Sequence, residues 1–193
     1  DALAASARSP EAIERMPYPL TMHPPGAELW NRLLSLQIIE GDNEQALVPA
    51  RRATEYNDHD AELQANVAQA YYQLKRYDDA INAIDRALEL TDSTQVGQRA
   101  NLIGVKGDAL FQRGDTAAAF AVYEAALRDM PDNAGILNNY AYFLALCDTD
   151  LDHALLMTQR AVQLTPGSAT YLDTYAWVLY RRGDTARALE VMR

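Results

Sequence analysis

The side chains able to make and break bonds are few and scattered along this chain. His23, His59 and His153 stand far apart, and none belongs to a metal-ligand spacing such as His-Glu-x-x-His. Cys147 is the single cysteine, so an internal disulfide is impossible and the redox compartment stays open. Without a histidine beside it to draw off the proton, that thiol reads as small filler near a helix end. Acidic pairs could serve as general acid and base, but Asp78-Asp79 and Asp150/Asp152 fall at predicted turns and helix starts. Carboxylates at such places satisfy free backbone amides and the helix dipole, and a turn lacks the partly desolvated pocket that proton transfer needs. There is no glycine-rich phosphate loop, no Gly-x-Ser-x-Gly elbow and no Cys-x-x-Cys. The expectation is a chain that is not an enzyme, with no metal site and no cofactor.

The sequence is much richer in what builds helices. Hydrophobic residues make up 49% of the 193 positions, against nine Gly and eight Pro, which is a core-forming composition and neither a disordered tail nor a collagen-like rod. No apolar run approaches the roughly 18 residues that cross a bilayer. The 17 basic and 27 acidic side chains leave a formal charge of -10, so a polyphosphate backbone is repelled and nucleic acid is not an expected partner. The same acidity fits either a solvated surface that keeps the chain soluble or an attraction for basic segments, and charge alone does not separate the two.

Small residues carry the organisation. Ala46 and Ala53, Ala80 and Ala87, Ala119 and Ala126, and Ala154 and Ala161 are pairs seven residues apart, about two helical turns, so each pair marks one face of one helix. Their first members recur at steps of 34, 39 and 35, and a further 34 reaches Ala188. Ahead of each such helix lies another with its own apolar stripe: Val67, Ala68, Tyr71 and Leu74; Tyr140, Ala141, Leu144 and Cys147; Tyr175, Ala176 and Leu179. Between the two comes a breaker, Gly41-Asp42, Gly114-Asp115 or Gly183-Asp184, where glycine ends one helix left-handed and a carboxylate caps the next. The second helices are expected to stop at Asp58, Asp92, Pro131 and Pro166. A hairpin of this size cannot bury its own apolar face, so successive copies must stack, with the alanines at the close crossings.

These residues resemble the tetratricopeptide repeat, whose pattern places Trp30 at the opening aromatic position, Gly107 at the small one, Tyr71 at the tyrosine, Tyr123 at the second aromatic, and Pro131 and Pro166 at the terminal proline. The resemblance covers everything after about residue 26 and implies an all-α fold, a right-handed α-solenoid of stacked antiparallel helical hairpins. Its copies are drawn as 27–60, 61–99, 100–133, 134–168 and an incomplete 169–193. Departures matter too. Leu34 and Gln37 stand where a small residue and an aromatic are expected, and Pro49 predicts a kink or late start in the first copy's second helix. Five extra residues around Ser93 to Arg99 predict a longer loop after the second copy, and one extra residue lengthens the turn at Asp148 to Asp150. The last two copies, with Leu137-Asn138-Asn139-Tyr140-Ala141-Tyr142 and Tyr171-Leu172-Asp173-Thr174-Tyr175-Ala176-Trp177, resemble bacterial repeat proteins that are often exported or lipid-anchored, which implies a bacterial source and a cell-envelope or periplasmic location. Residues 1–26, with Pro10, Pro17, Pro19, Pro24 and Pro25, form an arm with one short helix near Glu11 to Arg15, either a linker or a cap over the first hairpin. A chain with no initiator Met that stops in mid-pattern at Arg193 is expected to be a piece of a longer protein.

What the resemblance implies about function is a concave groove lined by the first helix of each copy, binding a peptide or a partner domain. The family's inward-facing places fall on Asn31 and Ser35 in the first copy and on Gln69, Tyr72 and Gln73 in the second. They fall on Asp108, Phe111 and Gln112 in the third, Asn138, Tyr142 and Leu146 in the fourth, and Asp173, Trp177, Tyr180 and Arg181 in the fifth. Amides in this set both donate to and accept from an extended backbone, and the aromatics give large contact area at small rotamer cost. Tyr72, Tyr142 and Trp177 fit groove or core equally, whereas Tyr71, Tyr140 and Tyr175 fit the core. The family's clamp for a terminal carboxylate needs Lys at the fifth place of a copy; those places hold Asn31, Ala65, Gly104, Asn138 and Asp173, so that ligand is disfavoured. The expectation is a scaffold or adaptor. A self-assembling module, or the recruitment arm of an enzyme whose catalytic domain lies elsewhere, are the alternatives, and the oligomeric state is left open.

Overall fold

The computed structural model describes residues 59–193, and among these it is all helix. The expectations for the N-terminal arm, for most of the first copy with Trp30, Asn31, Ser35 and Pro49, and for His23 lie outside the described residues. Eight helices are described: α1 (Ala61–Gln73), α2 (Tyr77–Leu90), α3 (Val96–Gln112), α4 (Thr116–Asp129), α5 (Ala134–Leu146), α6 (Leu151–Leu164), α7 (Ala169–Arg181) and α8 (Thr185–Val191). The architecture is that of an α-solenoid built from antiparallel helical hairpins.

Each turn inside a hairpin closes in the same way. The second residue after the first helix turns left-handed: Lys75 at φ 58°, Gly114 at 92°, Asp148 at 56° and Gly183 at 90°. The next N–H then reaches back to a carbonyl five residues earlier, Arg76 to Tyr71, Thr149 to Leu144 and Asp184 to Leu179, each at 2.9 Å. This 6→1 bond satisfies a carbonyl that the helix end leaves free. Glycine adopts this backbone without steric cost, and Lys75 and Asp148 adopt it against their Cβ. The extra residue in the α5–α6 turn is accommodated by a second left-handed position, Asp150 at φ 41°, whose carboxylate accepts from His153 N at 3.3 Å and starts α6. Asp60, Asp115 and Asn133 cap α1, α4 and α5 in the same manner. The helices preceding Pro131 and Pro166 end at Asp129 and Leu164.

The expected long loop after the second copy is mostly helix instead. The connector from α2 to α3 is five residues, 91–95, against four in 130–133 and 165–168, while α3 runs for 17 residues and α1, α5 and α7 for 13. One inserted residue therefore lengthens the connector and four extend the helix. The local reason is a set of polar contacts that the sequence pattern does not advertise. Asp92 accepts from Thr94 N at 2.8 Å, Gln95 Oε1 accepts from Asp92 N at 3.1 Å, and Arg99 donates to the free carbonyls of Leu88 and Thr91 at 2.9 and 3.1 Å. A cation at those C-terminal carbonyls also meets the negative end of the α2 dipole.

The chain forms two compact units. The first runs to Leu102 and takes in Gln112–Gly114; the second holds Ile103–Phe111 and Asp115–Arg193. In the first, α1 packs on α2, burying Leu63, Val67, Ala68 and Ala70 together with Ala80, Ile81, Ala83, Ile84 and Ala87. In the second, α4 packs on α5, α5 on α6 and α7, α6 on α7, and α7 on α8. The repeating alanines, Ala119, Ala126, Ala154, Ala161 and Ala188, are buried throughout, as a close approach of helix backbones requires. Tyr123 is wholly buried and stacks on Tyr140 at 5.7 Å. A Cβ at Gly107 would overlap the Tyr123 ring, which explains the small residue at that place.

Candidate functional site

The second unit brings most of the candidate binding residues onto three first helices. Asp108 and Phe111 stand on α3, Asn138, Tyr142 and Leu146 on α5, and Asp173, Trp177, Tyr180 and Arg181 on α7. Gln69, Tyr72 and Gln73 on α1, with Gln112, belong to the first unit. There Gln69 and Tyr72 are half-buried and Gln73 is exposed, and the Tyr72 ring meets Tyr77 of α2 edge-on at 5.8 Å.

On α5 and α7 the aromatics divide by face. Tyr140, Phe143 and Leu144 point into the core, whereas Tyr142, Leu146 and Tyr180 are 42, 41 and 56% exposed. Phe111 packs against Phe143 at 4.5 Å, and Tyr142 lies edge-on to Phe143 at 5.4 Å, so the exposed ring rests on a buried aromatic floor. Trp177 stacks on Tyr180 at 5.9 Å and lies under the Arg181 guanidinium at 5.3 Å. Arg181 also pairs with Asp148 at 3.2 Å, and its neighbour Arg182 with Asp152 at 2.8 Å, tying α7 to the turn and start of the preceding hairpin's second helix.

Two polar atoms on these helices are buried without a hydrogen-bond partner among the described residues: the Asn138 Oδ1 acceptor and the Trp177 Nε1 donor. Asn138 itself is 5% exposed and uses only its amide nitrogen, which donates to Asn139 Oδ1 at 3.3 Å. A desolvated, unpaired polar atom costs about 1–3 kcal/mol, so folded proteins rarely keep one without a use for it. Asp108 is half-buried and accepts from Tyr123 Oη at 3.4 Å. Desolvation pushes its carboxyl up to about 6 despite that hydrogen bond. Tyr140, which donates to Glu124 Oε1 at 2.9 Å, is raised above the usual phenol range by burial and then by that carboxylate.

Among the described residues no group of three or more His, Cys, Asp or Glu is placed to hold a metal ion. No described helix is long and apolar enough to cross a membrane. His153 lies at the start of α6, its Nδ1 3.7 Å from Asp150, with its ring edge-on to Tyr140. A cavity of about 530 Å³ opens beside it, lined by Asp148, Asp150, Leu151, Asp152, Arg181 and Arg182. Its two arginines are matched by its own carboxylates, and it has no aromatic wall.

Known proteins agree with this architecture. One tetratricopeptide-repeat family profile matches residues 21–93 and 105–169, and a second profile of the same description matches 59–132. The chain belongs to the tetratricopeptide-repeat family. Among solved structures, residues 41 to the end of MamA from Desulfovibrio magneticus RS-1 superpose with a TM-score of 0.65 at 22% identity, covering 86% of this chain and 90% of that one. PilF of Pseudomonas aeruginosa gives 0.68 at 18% identity, over 86% of this chain and 72% of that one. YrrB, described as a tetratricopeptide-repeat protein with an unusual peptide-binding site, gives 0.57 at 18% identity, over 84% and 80%. At such identities the likeness is one of fold. Comparison with curated proteins finds no match. As a tetratricopeptide-repeat protein, the chain has the fold of a protein-protein interaction module.

Some of the site was hidden in the sequence of this repeat protein. Asn139, whose side chain sits against the bare backbone of Gly104, and Tyr123, whose hydroxyl reaches Gly104 O at 3.1 Å, shape the α3–α5 contact without lying at an inward-facing place. The adjacent Arg181-Arg182 opposite the acidic run Asp148 to Asp152 was a usable signal for the ties that hold α7.

Proposed function

We propose that this protein is a scaffold or adaptor that captures an extended peptide or a partner domain on the face formed by the first helices α3, α5 and α7. One observation carries it: the helices that bear the exposed Tyr142, Leu146 and Tyr180 also bear a buried acceptor and a buried donor, Asn138 Oδ1 and Trp177 Nε1, that no group satisfies among the described residues. An extended main chain offers the N–H and C=O that complete such a pair, and apolar side chains that cover the rings. Nothing in this arrangement calls for catalysis or for nucleic acid. Replacing Asn138, Tyr142 and Trp177 together by Ala should abolish capture of a partner in a pull-down while leaving the far-ultraviolet circular dichroism unchanged; retained capture rejects the face. A bacterial cell-envelope location, supported by the resemblance of the last two copies, belongs to the same proposal and is checked by fractionating cells.

The exposed Leu189 on α8 and Met192 just after it, at 58 and 59%, with Leu156 on α6 at 64%, favour a second role in which copies associate through the last two hairpins. Light scattering that finds a monomer at high concentration counts against it.

A further inference from the structure

Within the second unit the three first helices are neighbours: Phe111 of α3 meets Phe143 of α5, Gly104 of α3 lies against Asn139 of α5, and α5 packs on α7. Their charged side chains there are Lys106 and Asp108 on α3 and Asp173 and Arg181 on α7, while α5 has none. Lys106 precedes Asp108 by two residues, about 200° around the helix, and so leaves the face on which Asp108 stands. Arg181 is already neutralised by Asp148. The face is left with two carboxylates, and neither Asp108 nor Asp173 has a cation within ion-pairing distance among the described residues. Asp108 shows the consequence of standing without a counter-charge, its carboxyl pushed up to about 6 by lost hydration. The residues of the two buried, unsatisfied atoms stand on α5 and α7 at helical spacing from these groups. Asn138 is one turn before the exposed Tyr142, and Trp177 is one turn after Asp173.

We propose that the α3–α5–α7 face takes an extended segment that is both basic and apolar. Lysine or arginine side chains meet Asp108 and Asp173, an apolar side chain lies among Tyr142, Leu146 and Tyr180, and the segment's main chain donates to Asn138 Oδ1 and accepts from Trp177 Nε1. This rests on the proposal that the face binds a partner and adds that partner's chemistry. An acidic segment meets repulsion from the same two carboxylates, and placing an ammonium beside a poorly hydrated carboxylate makes a charge-assisted hydrogen bond, the strongest contact available here.

The test is fluorescence polarisation of the whole chain with two labelled peptides of about twelve residues, a length that spans a few helices in extended form. They share the same apolar residues, and alternate positions hold Lys in one and Glu in the other. The Lys peptide should bind and the Glu peptide should not. The double variant Asp108→Asn with Asp173→Asn should weaken the Lys peptide by about tenfold or more. Equal binding of the two peptides, or a Lys-peptide affinity unmoved in the double variant, overturns the basic chemistry. Tyr142→Ala with Tyr180→Ala separates the two levels, since both rings are exposed and their removal leaves the core intact. If this variant loses a peptide that the Asn variant keeps, the face binds but does not select basic segments. If neither peptide binds, or if the Lys peptide ignores every variant, both proposals fail.

Discussion

The core around Tyr123 and the face around Tyr142 are built from the same residue types and treat their polar atoms in opposite ways. Tyr123 and Tyr140 are buried and both hydroxyls are used, one on Gly104 O and Asp108, the other on Glu124. On α5 and α7, Asn138 and Trp177 keep a buried acceptor and donor unmet among the described residues, on helices whose Tyr142 and Tyr180 rings stay exposed. The first region holds the hairpins together. The second, in the proposed role, gives up some stability for surface that another molecule can complete.

The sharpest way to break this contrast is to cut a ring from each side. Tyr123→Ala opens a cavity and strands Asp108 without its hydroxyl, and should cost about 3–5 kcal/mol in chemical denaturation. Tyr142→Ala removes a half-exposed ring and should cost less than about 1 kcal/mol. Similar losses for the two erase the division between core and face.

Asp108 joins the two regions and should show its cost through pH. Its carboxyl lies at about 6 in the folded chain and near 3.8 in the unfolded one, so the folded state holds the proton more tightly. The Asp108 contribution to stability is therefore most favourable below about pH 4, falls as pH rises towards 6 and is flat above that. Asp108→Asn keeps the acceptor for Tyr123 and removes the charge. It should be more stable than the parent at pH 7 by about 1–2 kcal/mol, allowing for solvent screening, with the gap closing near pH 4. A gap independent of pH contradicts an uncompensated carboxylate.

The smallest effect belongs to the turns. Lys75 holds a backbone that glycine holds at Gly114 and Gly183, so Lys75→Gly should raise the unfolding midpoint, by about 1 kcal/mol or less in free energy. A loss of stability there means that the Lys75 side chain contributes more than its backbone strain costs.

The hairpin plan was legible because alanine spacing, Gly-Asp breakers and terminal prolines are local signals that tertiary packing does not overrule; Gly107 and Tyr123 behave as their places in the repeat imply. The extension of α3 was not legible. It depends on Arg99 reaching carbonyls 8 and 11 residues away, and helical patterning says nothing about such contacts. The face was half legible: the resemblance to the repeat implies inward places for Asn138 and Trp177 but is blind to whether their polar atoms find partners, which depends on atoms contributed by other helices. Nor does a net charge of -10 reveal that the arginine on this face is paired with Asp148 while its two carboxylates have no cation partner among the described residues.

The central claim, that the face keeps unmet hydrogen-bonding groups for a partner's main chain, is tested most directly at the indole of Trp177. In a ¹⁵N-labelled Trp30→Phe chain the Trp177 N–H gives the single indole resonance, and titration with the Lys-bearing peptide should shift it downfield as Nε1 gains an acceptor. An indole resonance that stays in place while the peptide binds contradicts the account.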